Sequence, residues 1–307
     1  MNKSILITGA NSGLGKDSAR QLAMIEGTEK IYLACRNLDK ANEAKLSLEK
    51  STRRSIFEIV IMDVSDPDSV RSAVAGLSEP IDALIMNAGG MGGKSPLKIT
   101  SNGVTSLFAN NVLGHAVLLN ELIEAKKLNN VALYAGSEGA RGVDEMGMKR
   151  PELESSSTDE FAKVIDGSFF GKEMDPMEAY GYIKYVAALW MSSEARKNPD
   201  LRFITMSPGF TKGTAVMNDL PPRKRFMFKY IMLPIVAPLK GMVHKLEKGA
   251  KRFVDGINNE SLESGVFYAS KAKSLVGPVI DQSILFPDLK NTTYQDNAND
   301  AIHRYIH

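Results

Sequence analysis

Apolar residues gather into short continuous runs at 4–8, 30–35, 55–62, 83–87, 130–135 and 201–207, rich in aliphatic and β-branched side chains. Between these runs the pattern changes. Over 14–24, 40–49, 67–77, 104–125 and 180–195, apolar positions recur three and four residues apart, which predicts helices with one buried face. Strands without polar alternation belong to sheets covered on both sides, and a helix between successive strands makes them parallel. The rhythm predicts an α/β fold, a doubly wound parallel sheet with helices on both faces. A further buried run at 265–269 supplies a late strand at the sheet edge, ahead of a tail over 280–307.

Two stretches break the rhythm. Residues 139–175 are polar and rich in glycine, methionine, serine and acid, far longer than an ordinary connection, and read as an insertion over one rim. Residues 209–240 carry Pro221-Pro222, the basic Arg223-Lys224-Arg225, and the apolar run from Phe226 to Val236. With no internal repeat and no linker, 1–307 is expected to be one domain with these two embellishments.

Composition narrows the partners. The chain has 307 residues and a formal charge of +2, from 38 basic and 36 acidic side chains, so no global field points to nucleic acid. Cys35 is the only cysteine, which leaves no intrachain disulfide and no cysteine cluster for zinc. His115, His244, His303 and His307 have no metal-ligand spacing. The first residues lack a signal-peptide pattern, and no run reaches the roughly 20 apolar residues that span a bilayer. A cytoplasmic location is expected.

The first strand runs into Thr8-Gly9-Ala10-Asn11-Ser12-Gly13-Leu14-Gly15 and then a helix. Glycines there allow a tight turn and close approach of a pyrophosphate to the helix N-terminal amides. The second strand ends in Ala34-Cys35-Arg36-Asn37. A carboxylate at that point would favour a free ribose hydroxyl, whereas Arg36 clamps a ribose phosphate, so NADP(H) is the expected cofactor; the alternative is a surface arginine paired with Asp39. Asp63-Val64 ends the third strand and either meets adenine or caps the next turn, and Asn87-Ala88-Gly89 ends the fourth beside the cofactor.

Far downstream, Tyr180 and Lys184 stand at i and i+4 of one helix, so both share a face. An ammonium beside a phenol favours the phenolate, which suits Tyr180 to proton transfer. Ser137, at a strand end, either donates to a substrate oxygen or caps a turn. Asn111, in an apolar helix, is either functional or spent on a local hydrogen bond.

Taken together these residues resemble the short-chain dehydrogenase/reductase family over about residues 1–215. The resemblance rests on Thr8-Gly9, Gly13-Leu14-Gly15, Asp63, Asn87-Ala88-Gly89, Asn111, Ser137, Tyr180, Lys184 and Pro208-Gly209. It implies a Rossmann-type sheet of about seven parallel strands, with Tyr180 as proton donor or acceptor and Ser137 orienting the substrate carbonyl. Lys184 would be ribose ligand and activator of Tyr180, and Asn111 the anchor of a water relay. Asn111 to His115, with Ala34 to Asn37, is similar to the retinol dehydrogenase, carbonyl reductase and protochlorophyllide reductase side of the family. Arg36 there implies NADP(H). Gly136 stands where the family commonly has another serine. After Pro208-Gly209 the threonines are out of the usual register, so either Thr211 or Thr214 holds the nicotinamide. The insertion covers the helix face normally used for association, which favours a monomer or homodimer over a tetramer.

The expected activity is NADPH-dependent reduction of a lipophilic or aromatic carbonyl compound, or the reverse alcohol oxidation, without a metal. The Phe226 to Val236 run reads as an apolar lid over such a substrate or as ordinary packing, and with its basic flank as a weak peripheral membrane contact. Two other functions stay open: a conjugated-alkene reductase similar to protochlorophyllide reductase, and a non-catalytic NADP-binding scaffold.

Overall fold

The computed structural model describes residues 2–93, 95–143, 147–171, 174–212 and 243–306. The Phe226 to Val236 run expected as a lid, and Thr214, lie outside these described residues. Eight strands form one sheet in the order β3-β2-β1-β4-β5-β6-β7-β8. They are β1 Ser4–Thr8, β2 Lys30–Cys35, β3 Phe57–Ile61, β4 Ile81–Met86, β5 Leu128–Ala135, β6 Arg202–Met206, β7 Val266–Ser270 and β8 Val279–Asp281. The first seven are parallel, and β8 pairs antiparallel with β7. The strand at 266–270 is therefore not the edge: the edge is β8, whose three residues are too few to show a period.

Alternate strand residues feed two cores. Leu6, Leu84, Met86, Ala132 and Tyr134 face one side; Ile5, Ile7, Ala83, Ile85, Val131 and Leu133 face the other. This double burial is why the strand runs are continuously apolar. Helices α1 Gly13–Leu22 and α2 Leu38–Thr52 cover the second face, while α3 Pro67–Ala75 lies over the first.

The long helix expected over 104–125 is broken. A turn of helix α4, Ser106–Phe108, passes into a π-helical turn at Ala109–Leu113 before α5, Gly114–Glu124. Close packing accompanies the break, because a Cβ on Gly114 would stand 1.9 Å from the Val64 carbonyl oxygen. Within the insertion, α6 spans Thr158–Asp166. The following α7, Pro176–Lys197, is buried along most of its length. It packs beneath α6 and the last helix, α9, Thr292–His303; α8, Leu246–Asn258, backs α1. Strand order reverses between β1 and β4, and the crevice outside their C-terminal ends holds the site.

Candidate active site

A cleft of about 900 Å³ runs along the C-terminal edge of the sheet. At one end is the β1–α1 turn, lined by Gly9, Asn11, Ser12, Gly13 and Leu14. Gly9 has φ +67°, and a Cβ on Gly15 would fall 2.6 Å from both the Gly9 carbonyl oxygen and Asn87 Nδ2, so Gly15 shapes the turn from beneath. Ser12, the N-cap of α1, makes no side-chain capping bond, and no acidic side chain occupies the first turn. Helix amides left uncapped at a glycine turn fit an anion such as a pyrophosphate, so this part of the chain suits a dinucleotide.

Arg36 lines the next part, exposed, with neither Asp39 nor another carboxylate paired to it among the described residues. Lys40 lines it too, on the first turn of α2; the sequence reading missed it. Asp63 reaches the cleft, but its Oδ1 accepts from Ser65 N at 2.9 Å and Ser65 Oγ at 2.7 Å, so the turn-capping role is present. Val64, Ala88 and Gly89 line the floor. Asn87 Nδ2 donates to the Thr8 carbonyl at 2.9 Å, tying the β4 and β1 loops together.

Asn111 sits in the π turn, away from the cleft wall. Its Nδ2 donates to the Gly90 and Leu107 carbonyls, both at 2.8 Å. The amide thus spends itself on a local bond and on the Gly89-Gly90 loop.

Ser137 and Tyr180 meet at the centre of the cleft. Two glycines allow it: a Cβ on Gly181 would lie 2.9 Å from the Gly139 carbonyl oxygen, so α7 slides close under the turn that begins at Ser137. Ser137 caps that turn, accepting from Gly139 N at 3.2 Å, and stands close enough to the Tyr180 phenol to favour its ionised form. Burial pushes the Tyr180 phenol up to about 12, the nearby Ser137 hydroxyl pulls the other way, and the Glu138 charge adds to the rise. Lys184 is buried behind Tyr180, its Nζ donating to Tyr134 Oη and the Ala135 carbonyl, each at 2.9 Å. Burial lowers its ammonium to about 7. A serine at Gly136 would collide with the Phe267 ring, 2.8 Å from the added Cβ, which explains the glycine there.

Glu138, next to Ser137, was not anticipated. Its carboxylate is buried, accepting from Ser207 Oγ at 2.5 Å and Ser270 Oγ at 2.9 Å, with Arg252 Nη1 3.6 Å away. Arg252 also donates to the Ser207 carbonyl at 3.0 Å. This cluster fixes the Pro208-Gly209 loop, which lines the cleft with Thr211. The Thr211 hydroxyl turns back onto the Pro208 and Gly209 carbonyls at 3.1 and 3.0 Å. Beyond Tyr180, the far wall is apolar: Val143 and Met148 from the insertion, Met177 of α7, Phe210 and Leu275. Its members are too scattered along the chain for any one stretch to reveal it. Among the described residues no group of three or more metal-binding side chains comes together, and no helix is long and apolar enough to cross a membrane.

The short chain dehydrogenase family model matches residues 3–132. The dehydrogenase/reductase SDR family member 12 of Bos taurus is 28% identical over 222 residues, 71% of this chain and 64% of that protein. Retinol dehydrogenase 12 of Homo sapiens is 34% identical over 130 residues, 41% of this chain and 40% of that one. The chloroplastic short-chain dehydrogenase TIC 32 B of Brassica napus is 35% identical over 137 residues, 44% and 41% of the two chains. The matched segments span less than two thirds of each relative's length. The fold is shared with L-sorbose reductase of Gluconobacter frateurii, solved with NADPH and L-sorbose, at TM-score 0.61 and 16% identity over 89% of this chain and 96% of that one.

Proposed function

We propose that the chain, which matches the short chain dehydrogenase family model over residues 3–132, is an NADPH-dependent oxidoreductase of the short-chain dehydrogenase/reductase family, acting on a lipophilic carbonyl compound or the corresponding alcohol. The observation that carries the reading is the placing of Tyr180, beside Ser137 and backed by Lys184, between the glycine turn and an apolar wall. A nicotinamide bound along the cleft would supply hydride. The protein's part is the proton and the pose: Ser137 and the Tyr180 hydroxyl hold the substrate oxygen, and Tyr180 gives it a proton. A phenol held protonated suits reduction. Arg36 and Lys40 support the phosphorylated cofactor, with Gly9, Asn11, Ser12, Gly13, Leu14, Asp63, Val64, Asn87, Ala88, Gly89, Pro208, Gly209 and Thr211 as further contacts. The Val143, Met148, Met177, Phe210 and Leu275 wall supports an apolar substrate.

A monomer or homodimer, working in the cytoplasm, completes the proposal. Its support is that α6 and α9 of the same chain cover α7, with Asn299 Nδ2 donating to Glu194 Oε1 at 3.0 Å. The test is titration of purified protein with NADPH and with NADH, followed by a carbonyl screen. Tighter NADPH binding with turnover of apolar carbonyls is the expected result. Preference for NADH would remove Arg36 as selector, and binding of neither would overturn the enzymatic reading.

A further inference from the structure

The Lys184 ammonium has three N–H donors, and two already meet protein acceptors, Tyr134 Oη and the Ala135 carbonyl. The Tyr134 hydroxyl donates in turn to the Asn111 carbonyl at 3.1 Å. That carbonyl also accepts from His115 Nδ1 at 2.9 Å, and His115 Nε2 lies 2.9 Å from Thr8 Oγ1. A carbonyl can only accept, so the His115 proton is on Nδ1 and the Thr8 hydroxyl donates to Nε2. Both bonds therefore end on the Asn111 carbonyl. Tyr134 itself has no exposed surface, its ring packed edge-on between His115 and Trp190 at centroid distances of 6.0 and 6.1 Å.

We propose that Tyr134 is a positioning residue for Lys184: its hydroxyl holds the ammonium against Tyr180 and seals the back of the site, so that Tyr180 and Lys184 exchange protons only through the cleft. The seal follows from the direction of the bonds. Tyr134 accepts from Lys184 and donates to a carbonyl that cannot pass a proton on. The role expected of a water anchored at Asn111 is thus filled, on the Lys184 side, by a side chain of β5. Only the effect on turnover rests on the oxidoreductase reading; the effect on Lys184 belongs to the ligand-free chain.

The titratable groups facing Lys184 are Tyr180 from its own helix, Tyr134 from β5 and His115 from α5. Burial keeps His115 neutral, down at about 4, and holds the Tyr134 phenol protonated. No carboxylate pairs with Lys184 among the described residues, so its charge leans on the Tyr134 and Ala135 oxygens. Taking one away must ease its deprotonation.

The test is Tyr134→Phe, which keeps the ring and its packing. Lysine labelled with carbon-13 at Cε reports the Lys184 titration by NMR in ligand-free protein, with Lys184→Met assigning the signal. The Lys184 pKa is expected to fall by about one pH unit. In alcohol oxidation, the limb of the pH profile that reports Tyr180 deprotonation should move upward, because the phenolate loses a neighbouring charge. Trp190→Phe disturbs the same packing without touching the hydroxyl and should leave the titration unmoved. An unshifted titration in Tyr134→Phe, or an equal shift in Trp190→Phe, overturns the proposal. Should Tyr134→Phe not fold, the wild-type Tyr134 hydroxyl proton gives a second reading: slow exchange supports the seal, and exchange at the solvent rate overturns it. A shifted titration in a protein with no nicotinamide-linked turnover would sink the enzymatic reading and leave the Tyr134 assignment standing.

Discussion

The two ends of the cleft are built from different materials. At the β1–α1 end, main chain does most of the work, through glycines and uncapped helix amides, with exposed cations beside them. At the β5–β7 end, side chains do it, with Glu138, Arg252, Ser207 and Ser270 bonded together out of solvent. A main-chain anion site tolerates change everywhere except at its glycines. A buried polar cluster instead makes each member depend on the others, because removing one leaves a desolvated partner.

The sharpest way to break this comparison is at the point where the ends meet. Tyr180→Phe should lower turnover by about a hundred- to ten-thousand-fold while NADPH binding, measured by fluorescence titration, stays within a factor of two or so, because the end proposed to bind phosphate does not use the phenol. An equal loss of both would mean that the two ends are one unit. Next in size is Glu138→Ala, which strands the Arg252 guanidinium among carbonyls. Its cost should be about 3–5 kcal/mol of stability in urea unfolding, and the paired change Glu138→Gln with Arg252→Met should recover part of it. A loss under roughly 1 kcal/mol would place the pair with ordinary surface ion pairs.

His115 sits on the joint, bonded to Thr8 of β1 and to Asn111 of the π turn. Burial lowers its folded value from 6.5 to about 4. The unfolded chain therefore binds a proton between those two values that the folded chain refuses. Its contribution is complete above pH 6.5 and is lost as pH falls toward 4, worth about 3 kcal/mol across the window. Urea unfolding at pH 7 and pH 4 should show that difference flattened by this amount in His115→Gln; an unchanged pH difference would count against a neutral buried ring.

The contrast between the ends also decides what could be read from sequence. Gly9 and Gly15 stood out because a turn with φ +67° and a 2.6 Å approach admits nothing larger, and Tyr180 with Lys184 because four residues on one helix is a fixed geometry. Tyr134 and Glu138 did not, since their partners Lys184 and Ser270 come from other strands and helices that only the sheet brings near. Tyr134 looked like one more apolar position in a buried strand. The π turn at Ala109–Leu113 was invisible for a related reason: its flanks are buried all round, so no change of period marks it. Asn111, Ser137 and Asp63 each had two readings, and the local bond is present in all three.

The smallest effect is expected at the exposed end, and it discriminates best. Arg36 and Lys40 both stand in solvent beside the place where a ribose phosphate would lie. Exposed charges are screened, so Arg36→Ser should weaken NADPH binding only by about tenfold at low salt and less at high salt, and leave NADH binding unchanged. Lys40→Ser should act in the same direction and more weakly, because a lysine offers a point charge where arginine offers a fork. The double variant measures whether they share one phosphate: a combined loss smaller than the sum means that each already weakens the other's contact. Equal losses for NADPH and NADH would mean that Arg36 holds the turn rather than the phosphate, and selectivity would then have to come from the main-chain end itself.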